Sequence, residues 1–311
     1  LKSNTDTGPT VYCIGETVLD LIFRDGQPVS ANPGGSILNS AVSLGRAGLR
    51  VEFISEYGND EAGLLIDNFL KKNNVGTRYV NRYDDGKTAL ALAFLDHKND
   101  ASYSFYKLYP RSRMRKALPS VKKGDVILFG SIYSITPGIS GKIQRWVRQS
   151  KAAGAFIMYD PNFRKSHLDQ LDRARPLIVK NIGLASLVRG SDEDFSIIFG
   201  LKKPGEVKQE TGLYGCSNLI ITRNSKSVIA WFGDVKVTFD IPRVEKVVST
   251  VGAGDNFNAG VIYALVRGGY TLSGISGKSD AAGILGTGAA FASEVCGSME
   301  NYISKTFASG L

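Results

Sequence analysis

Apolar residues along the chain fall into two alternating patterns. Residues 10–15, 51–55, 125–129, 155–159, 184–188 and 218–222 are short, nearly continuous apolar runs, as expected of strands buried on both faces. Between them, apolar positions recur at helical spacing. Ile37, Ala41 and Leu44 define a helix over 36–47, with Gly48 suited to its C-terminal end. Leu64, Leu65, Phe69 and Leu70 put an apolar side on a helix over 60–72. Residues 138–153, 172–181, 255–266 and 279–295 read as further helices. Such alternation predicts an α/β fold, with a doubly wound, mostly parallel sheet covered by helices on both faces. Ligands in such folds bind at the carboxyl ends of the strands.

Residues 77–108 break the alternation. Residues 88–96 and 101–108 are strand-like, and His97 to Asp100 supplies the polar turn of an antiparallel hairpin. With the strand-like segment 19–24 they predict a small second sheet. The expected organisation is one domain over 10–311, with a β-sheet lid formed by about 17–30 and 77–110 inserted in it. No repeat or low-complexity tract suggests otherwise.

Composition narrows the classes. With 311 residues, 43% of them hydrophobic, the chain can bury a sizeable core. No run of 18 apolar residues predicts a membrane span, and the polar start through Gly8-Pro9 lacks the apolar stretch of a signal peptide. The three cysteines, Cys13, Cys216 and Cys296, are far apart and odd in number. They suggest buried thiols in a reducing, cytoplasmic setting rather than a zinc knuckle or disulfide framework. The net charge of +9 is dispersed, and no RNA-binding or zinc-finger spacing accompanies it, so no nucleic-acid partner is expected. The densest cluster is Arg111, Arg113, Arg115 and Lys116, which fits either a solvated surface segment or a basic flap near a phosphate or charged sugar. His97 and His167 stand in no metal or triad spacing and read as turn residues.

One segment carries chemistry. In Gly252-Ala253-Gly254-Asp255, small residues precede an acid, and a helical pattern follows through Phe257, Val261 and Leu265. Small residues let backbone N–H groups converge on an anion at a helix start. An Asp there is placed to take a proton from an attacking hydroxyl while those amides hold charge on a transferred phosphoryl group. An Asp near a helix N-terminus is also favoured by the macrodipole alone, so the segment does not decide by itself. A second segment, Asn32-Pro33-Gly34-Gly35-Ser36-Ile37-Leu38-Asn39, runs on to Leu44-Gly45-Arg46-Ala47-Gly48. Gly34 and Gly35 open a helix and permit close approach of a ligand, and Asn39, one turn in, offers a donor and an acceptor.

These two segments, in this order and at this separation, resemble the two motifs of the ribokinase-like (phosphofructokinase B-type) carbohydrate kinases, and within them the fructokinase-like branch. The resemblance runs from about Tyr12 to Gly297. It implies an ATP- and Mg2+-dependent transfer of the γ-phosphoryl group to a primary hydroxyl of a monosaccharide, most simply fructose. Asp255 would be the base and Gly252, Ala253 and Gly254 the anion hole, with Gly34, Gly35 and Asn39 on sugar hydroxyls. Asp20, in Gly15-Glu16-Thr17-Val18-Leu19-Asp20, would accept from the sugar. In Asp160-Pro161-Asn162-Phe163-Arg164, similar to the D-P-N-x-R segment of fructokinases and ketodeoxygluconate kinases, Asn162 and Arg164 would face the cleft. Ser191 and Asp194 occupy the family's N-x-x-E positions, linked to phosphate and magnesium. They equally form an ordinary helix N-cap with first-turn acids. Thr222 and Asn224 fall in the turn that holds ATP. A homodimer through the lid is a further expectation from the family.

Several residues depart from the pattern. Ser249 replaces an Asp that helps hold a monovalent cation in relatives, so the resemblance does not carry potassium activation. Asn224 and Ser227 replace two turn glycines, and Tyr106-Lys107 replaces a frequent Tyr-Arg pair on the lid. Arg164 and the basic cluster would suit the carboxylate of 2-keto-3-deoxygluconate, the alternative sugar. A non-catalytic sugar or nucleotide sensor would explain the altered ATP positions but not the retained Asp255 and glycines. A nicotinamide oxidoreductase lacks its G-x-G-x-x-G after the first strand, and Gly277-Lys278-Ser279 is no P-loop because Leu272 stands where a glycine is required.

Overall fold

The structure is a computed structural model that describes residues 8–95, 101–275 and 277–311. The turn expected at His97 to Asp100 lies outside the described residues.

The chain opens with β1 (Thr10–Ile14), then the hairpin β2 (Val18–Arg24) and β3 (Gln27–Gly34), then α1 (Ser36–Arg46). Next come β4 (Arg50–Ile54), β5 (Glu56–Gly58), α2 (Glu61–Lys72), β6 (Val75–Gly76) and β7 (Asn81–Tyr83). The long strands β8 (Lys87–Leu95) and β9 (Ala101–Leu108) follow. Regular alternation then resumes with β10 (Val126–Gly130), α3 (Ser140–Ala152), β11 (Phe156–Asp160), α4 (Leu171–Leu184) and β12 (Leu187–Ser191). After α5 (Asp192–Phe199) and α6 (Pro204–Leu213) comes the meander β13 (Leu219–Arg223), β14 (Ser227–Phe232) and β15 (Val235–Asp240). Helices α7 (Ala253–Arg267), α8 (Lys278–Cys296) and α9 (Lys305–Ser309) close the chain.

Among the described residues the main sheet has nine strands, in the order β15-β14-β13-β12-β11-β10-β1-β4-β6. It is parallel except for the antiparallel β13–β14–β15 edge. Alternation within each strand divides the core. Val11 and Cys13 of β1 face α1, α7 and α8, whereas Tyr12 and Ile14 face α3 and α4. The sheet order turns about β1, whose neighbours are β10 and β4, so a crevice opens at the strand ends there.

The small sheet has the order β3-β2-β8-β9. The expected strand 19–24 joins it as β2, beside the two expected hairpin strands. Strand β3 escaped the sequence reading because Pro28 and Pro33 look like loop residues. It forms an edge, where a missing N–H removes no ladder bond on the outer side. Two expectations need correction. Leu64 and Leu65 are more than half exposed, and α2 instead buries Gly63, Ile66, Asp67 and Leu70, the i, i+3, i+4, i+7 set. Leu184 ends α4 rather than starting a strand. Leu184 and Ala185 are buried in that helix terminus, so apolarity alone could not tell the two states apart.

Candidate active site

The hairpin β2–β3 is inserted between β1 and α1, so the Asn32-Pro33-Gly34-Gly35 segment is where the small sheet hands over to the main one. Gly34 is the last residue of β3, and a methyl group on it would fall 1.8 Å from Asp20 Oδ2. Glycine therefore makes room for the Asp20 carboxylate. Burial pushes Asp20 up to about 7. Gly35 has φ 132°, and a side chain there would meet the Glu16 carbonyl at 2.4 Å. Only glycine fits this entry to α1.

One turn into α1, Asn39 Nδ2 donates to Asp255 Oδ2 at 2.8 Å, and Ser40 Oγ donates to the Asp255 carbonyl at 2.7 Å. These bonds dock α1 onto the start of α7. Gly252 caps α7 with φ 81°, a left-handed conformation that favours glycine. Gly254 and Asp255 lie in the first turn, where backbone N–H groups have no preceding turn to bond to. Asp255 is buried, and burial pushes its carboxyl up to about 7. The Asn39 bond and the charges of Arg164 and Arg189 pull the other way, while Asp160 adds to the rise.

Asp160, Ser191 and Thr222 sit at or next to the carboxyl ends of adjacent strands β11, β12 and β13. Ser191 and Thr222 are register partners. Asn162 takes φ 39°, its amide donates to Asp160 Oδ1 at 3.0 Å, and Arg164 Nε donates to its Oδ1 at 3.4 Å. Arg164 is exposed, and its charge reaches both Asp255 and Tyr103. Asn224 has φ 52° in the β13–β14 turn, a left-handed conformation that asparagine tolerates better than most residues.

Ser191 and Asp194 form a reciprocal capping box at the start of α5. Ser191 Oγ accepts from the Asp194 amide at 3.0 Å, and Asp194 Oδ2 accepts from the Ser191 amide at 2.7 Å. Burial, then the charge of Asp160, raises the Asp194 carboxyl above its usual range. The cap engages Oδ2 through both the Ser191 amide and its Oγ. Among the described residues no group of three His, Cys, Asp or Glu side chains could hold a metal. A lone carboxylate such as Asp194 would suit magnesium only if water and phosphate oxygens supplied the other ligands.

The basic cluster is not a free flap. Arg113 is tied to the buried Glu56 through Nε at 2.6 Å and lies over the Tyr109 ring at 3.7 Å. Arg115 pairs with Asp85, and Lys116 Nζ donates to the carbonyls of Arg78 and Val80. On the small sheet, Lys107 pairs with Glu16 at 2.8 Å, joining β9 to the loop after β1. His167, expected in a turn, lies instead in a short 3-10 helix (Lys165–Gln170) with its ring beside Phe163, and His97 is outside the described residues.

Sequence reading missed Arg189. It lies on β12 and is almost fully buried, with Nη1 2.9 Å from Asp160 Oδ2 and Nη2 2.8 Å from Thr222 Oγ1. Asn258 of α7 donates to the same Asp160 oxygen at 2.6 Å. The available signal was a cation inside the apolar strand Leu187-Val188-Arg189-Gly190, since charges are rarely buried without a partner.

The pfkB family carbohydrate kinase pattern matches residues 9–305. The chain belongs to the pfkB family of carbohydrate kinases. A fructokinase of Rhizobium leguminosarum bv. trifolii is 30% identical over 264 residues, covering 82% of this chain and 79% of that protein. The fold of this pfkB kinase is shared with the fructokinase of Xylella fastidiosa solved with bound ATP, at TM-score 0.82, 22% identity and 97% coverage of both chains. It is shared equally with the aminoimidazole riboside kinase of Salmonella enterica solved with aminoimidazole riboside and an ATP analogue. There the TM-score is 0.81 and the identity 22%, covering 94% of this chain and 95% of that one. The ribokinase-like α/β fold with its small second sheet is thus the family's, and the protein is an ATP-dependent sugar kinase.

Proposed function

We propose that this kinase phosphorylates a primary hydroxyl of fructose, with Asp255 as the general base. The carrying observation is the buried Asp255 in the first turn of α7, held by Asn39 and raised to about 7. A base with that affinity takes a proton near neutral pH yet gives it up readily. Asn39 engages Oδ2, so Oδ1 would be the oxygen that takes the proton of the incoming hydroxyl. As the sugar oxygen attacks the γ-phosphorus, its proton passes to Asp255 and the bond to the β-phosphate oxygen breaks. The amides of Gly252, Ala253 and Gly254, at the positive end of α7, would hold the developing charge, the Ala253 amide giving up its 3.3 Å bond to the Thr250 carbonyl. Asp194 would hold magnesium through water, and the ion would supply positive charge to offset that of the phosphates. Thr222 and the Asn224 turn would border the nucleotide.

Sugar hydroxyls would be held by Asp20, Asn39 and Asn162, with Gly34 and Gly35 allowing close approach and Arg164 at the cleft edge. Cross-strand partners share a face, so Asp20, Ala91 and Phe105 line up on one side of the small sheet. That side covers the sugar as a lid and excludes water, which suppresses ATP hydrolysis. Fructose is preferred over 2-keto-3-deoxygluconate because three of the four cations of the basic cluster are already bonded within the protein. Strand β9 is an exposed edge carrying Tyr106 and Leu108, suited to a second copy of the chain in a homodimer. No helix among the described residues is long and apolar enough to cross a membrane. A cytoplasmic enzyme is the reading that also suits the three free cysteines.

A coupled ATP assay over fructose, 2-keto-3-deoxygluconate, fructose 6-phosphate and nucleosides tests the sugar. Highest kcat/KM for fructose, lost by at least about 1,000-fold in Asp255→Asn with ligand binding retained, is expected. Near-normal turnover in that variant would remove Asp255 as the base.

A further inference from the structure

We propose that Arg189 is a positioning residue for phosphoryl transfer, a fixed guanidinium floor on which the first turn of α7 and Asp255 rest. The inference depends on Asp255 being the base.

Three strand ends and one helix meet at this side chain. Arg189 of β12 reaches sideways to Asp160 on β11 and to Thr222 on β13, at 2.9 and 2.8 Å. Above it, a methyl group on Gly254 would lie 2.9 Å from both Nη1 and Nη2, so the guanidinium sits directly against that backbone. This explains why residue 254 is glycine, independently of any ligand. The Phe257 ring lies 5.8 Å from the guanidinium carbon, and Asn258 shares Asp160 Oδ2, so α7 is pinned to the sheet at successive positions.

Stability alone does not account for this arrangement. An ion pair removed from water is no more stabilising than well-packed apolar side chains of the same volume. Arg189 Nε is moreover buried without a partner, which is unfavourable. What an apolar replacement cannot supply is a permanent positive charge under the turn that receives the phosphoryl group. The charge adds to the helix dipole there. The charged groups acting on Asp255 are Asp160 of β11, Arg164 after it and Arg189 of β12, and the side chain reaching it from α1 is the neutral Asn39. Arg164 is exposed, whereas Arg189 is locked by two bonds.

The test uses Arg189→Met and Arg189→Lys in the full chain. In Arg189→Met the acidic limb of kcat/KM moves up by roughly half to one pH unit, because a charge favouring ionised Asp255 is gone. Its kcat falls about 10- to 100-fold, sugar KM stays within about threefold, and Arg189→Lys restores part of both. Carboxyl-13C NMR reads the Asp255 titration directly, assigned by its loss in Asp255→Asn, and shows the same upward shift with no substrate present. An unmoved titration together with wild-type kcat in Arg189→Met overturns the proposal. Absence of turnover in the wild-type protein on every sugar defeats the kinase site instead, while the NMR shift still reports on Arg189. If Arg189→Met does not fold, Asp160→Asn/Arg189→Met removes both charges. A loss of at least about tenfold in kcat without a raised Asp255 titration then supports the role, and plateau kcat within about twofold of wild type rejects it.

Discussion

Asn39 and Asp255, 216 residues apart in sequence, share a 2.8 Å hydrogen bond that joins the first turns of α1 and α7. The donor is an amide and the acceptor a carboxylate, so the bond favours the ionised base against the burial that opposes it. Asn39 Oδ1 is buried without a partner, and on the proposed reading it would accept from a substrate hydroxyl.

Replacing Asn39 by Leu keeps the volume and removes both functions. Asp255 then titrates higher, the acidic limb of kcat/KM moves to higher pH, and kcat/KM for the sugar falls about 10- to 100-fold. A pH–rate profile that superimposes on the wild type would show that the bond is incidental.

Asp255 is raised from 3.8 to about 7 in the folded protein. Its stabilising contribution is complete below the unfolded value and is lost as pH rises through the folded one. The ionised, buried carboxylate therefore destabilises the fold at pH 8 by up to about 4 kcal/mol. Asp255→Asn should accordingly melt higher than wild type at pH 8, with the difference vanishing near pH 4. Differential scanning calorimetry at the two pH values decides this, and equal melting temperatures at pH 8 would contradict it.

Gly254→Ala places a methyl group 2.9 Å from the Arg189 guanidinium. Neither the helix nor the doubly bonded Arg189 yields easily, so about 1–3 kcal/mol of stability and at least tenfold in kcat should be lost. Gly205→Ala, with open space around it on α6, is the control and should be neutral or slightly stabilising. Urea titration and the sugar kinase assay compare the two.

Ser249 Oγ accepts from the Val251 amide at 3.2 Å, so the serine orders the loop before Gly252 without carrying a charge. Turnover should therefore be the same in potassium as in tetramethylammonium salts. Ser249→Asp restores a negative charge and should introduce a potassium response. Strong potassium activation of the wild type would refute this account of the loop.

Tyr106 and Leu108 are more than half exposed on the edge strand β9. Tyr106→Asp/Leu108→Asp should convert a dimer to a monomer in multi-angle light scattering with little change in melting temperature. A wild-type monomer at tens of micromolar would dispose of the interface.

Local pattern determined much of this protein. Periodicity gave the alternating strands and helices, because strands buried on both faces are apolar throughout and the covering helices repeat every three or four residues. The glycines at 34, 35, 252 and 254 and the acids at 20 and 255 were legible because close approach and helix starts restrict residue type locally. Other features depended on neighbours distant in sequence. Leu64 and Leu65 are apolar yet face solvent, since only packing decides which side of α2 is covered. Arg113 looked like a free cation until Glu56, 57 residues away, was found against it. Arg189 stood in an apolar strand with no stated purpose. Its partners Asp160 and Thr222 lie 29 and 33 residues away, and only parallel strand order brings their ends together beneath Gly254. The sequence by itself determined most of the elements, the family and the candidate base. The tertiary structure decided what raises that base to neutrality and what holds it in place, because burial and charge at Asp255 are sums over side chains from α1, β11 and β12 that no local window contains.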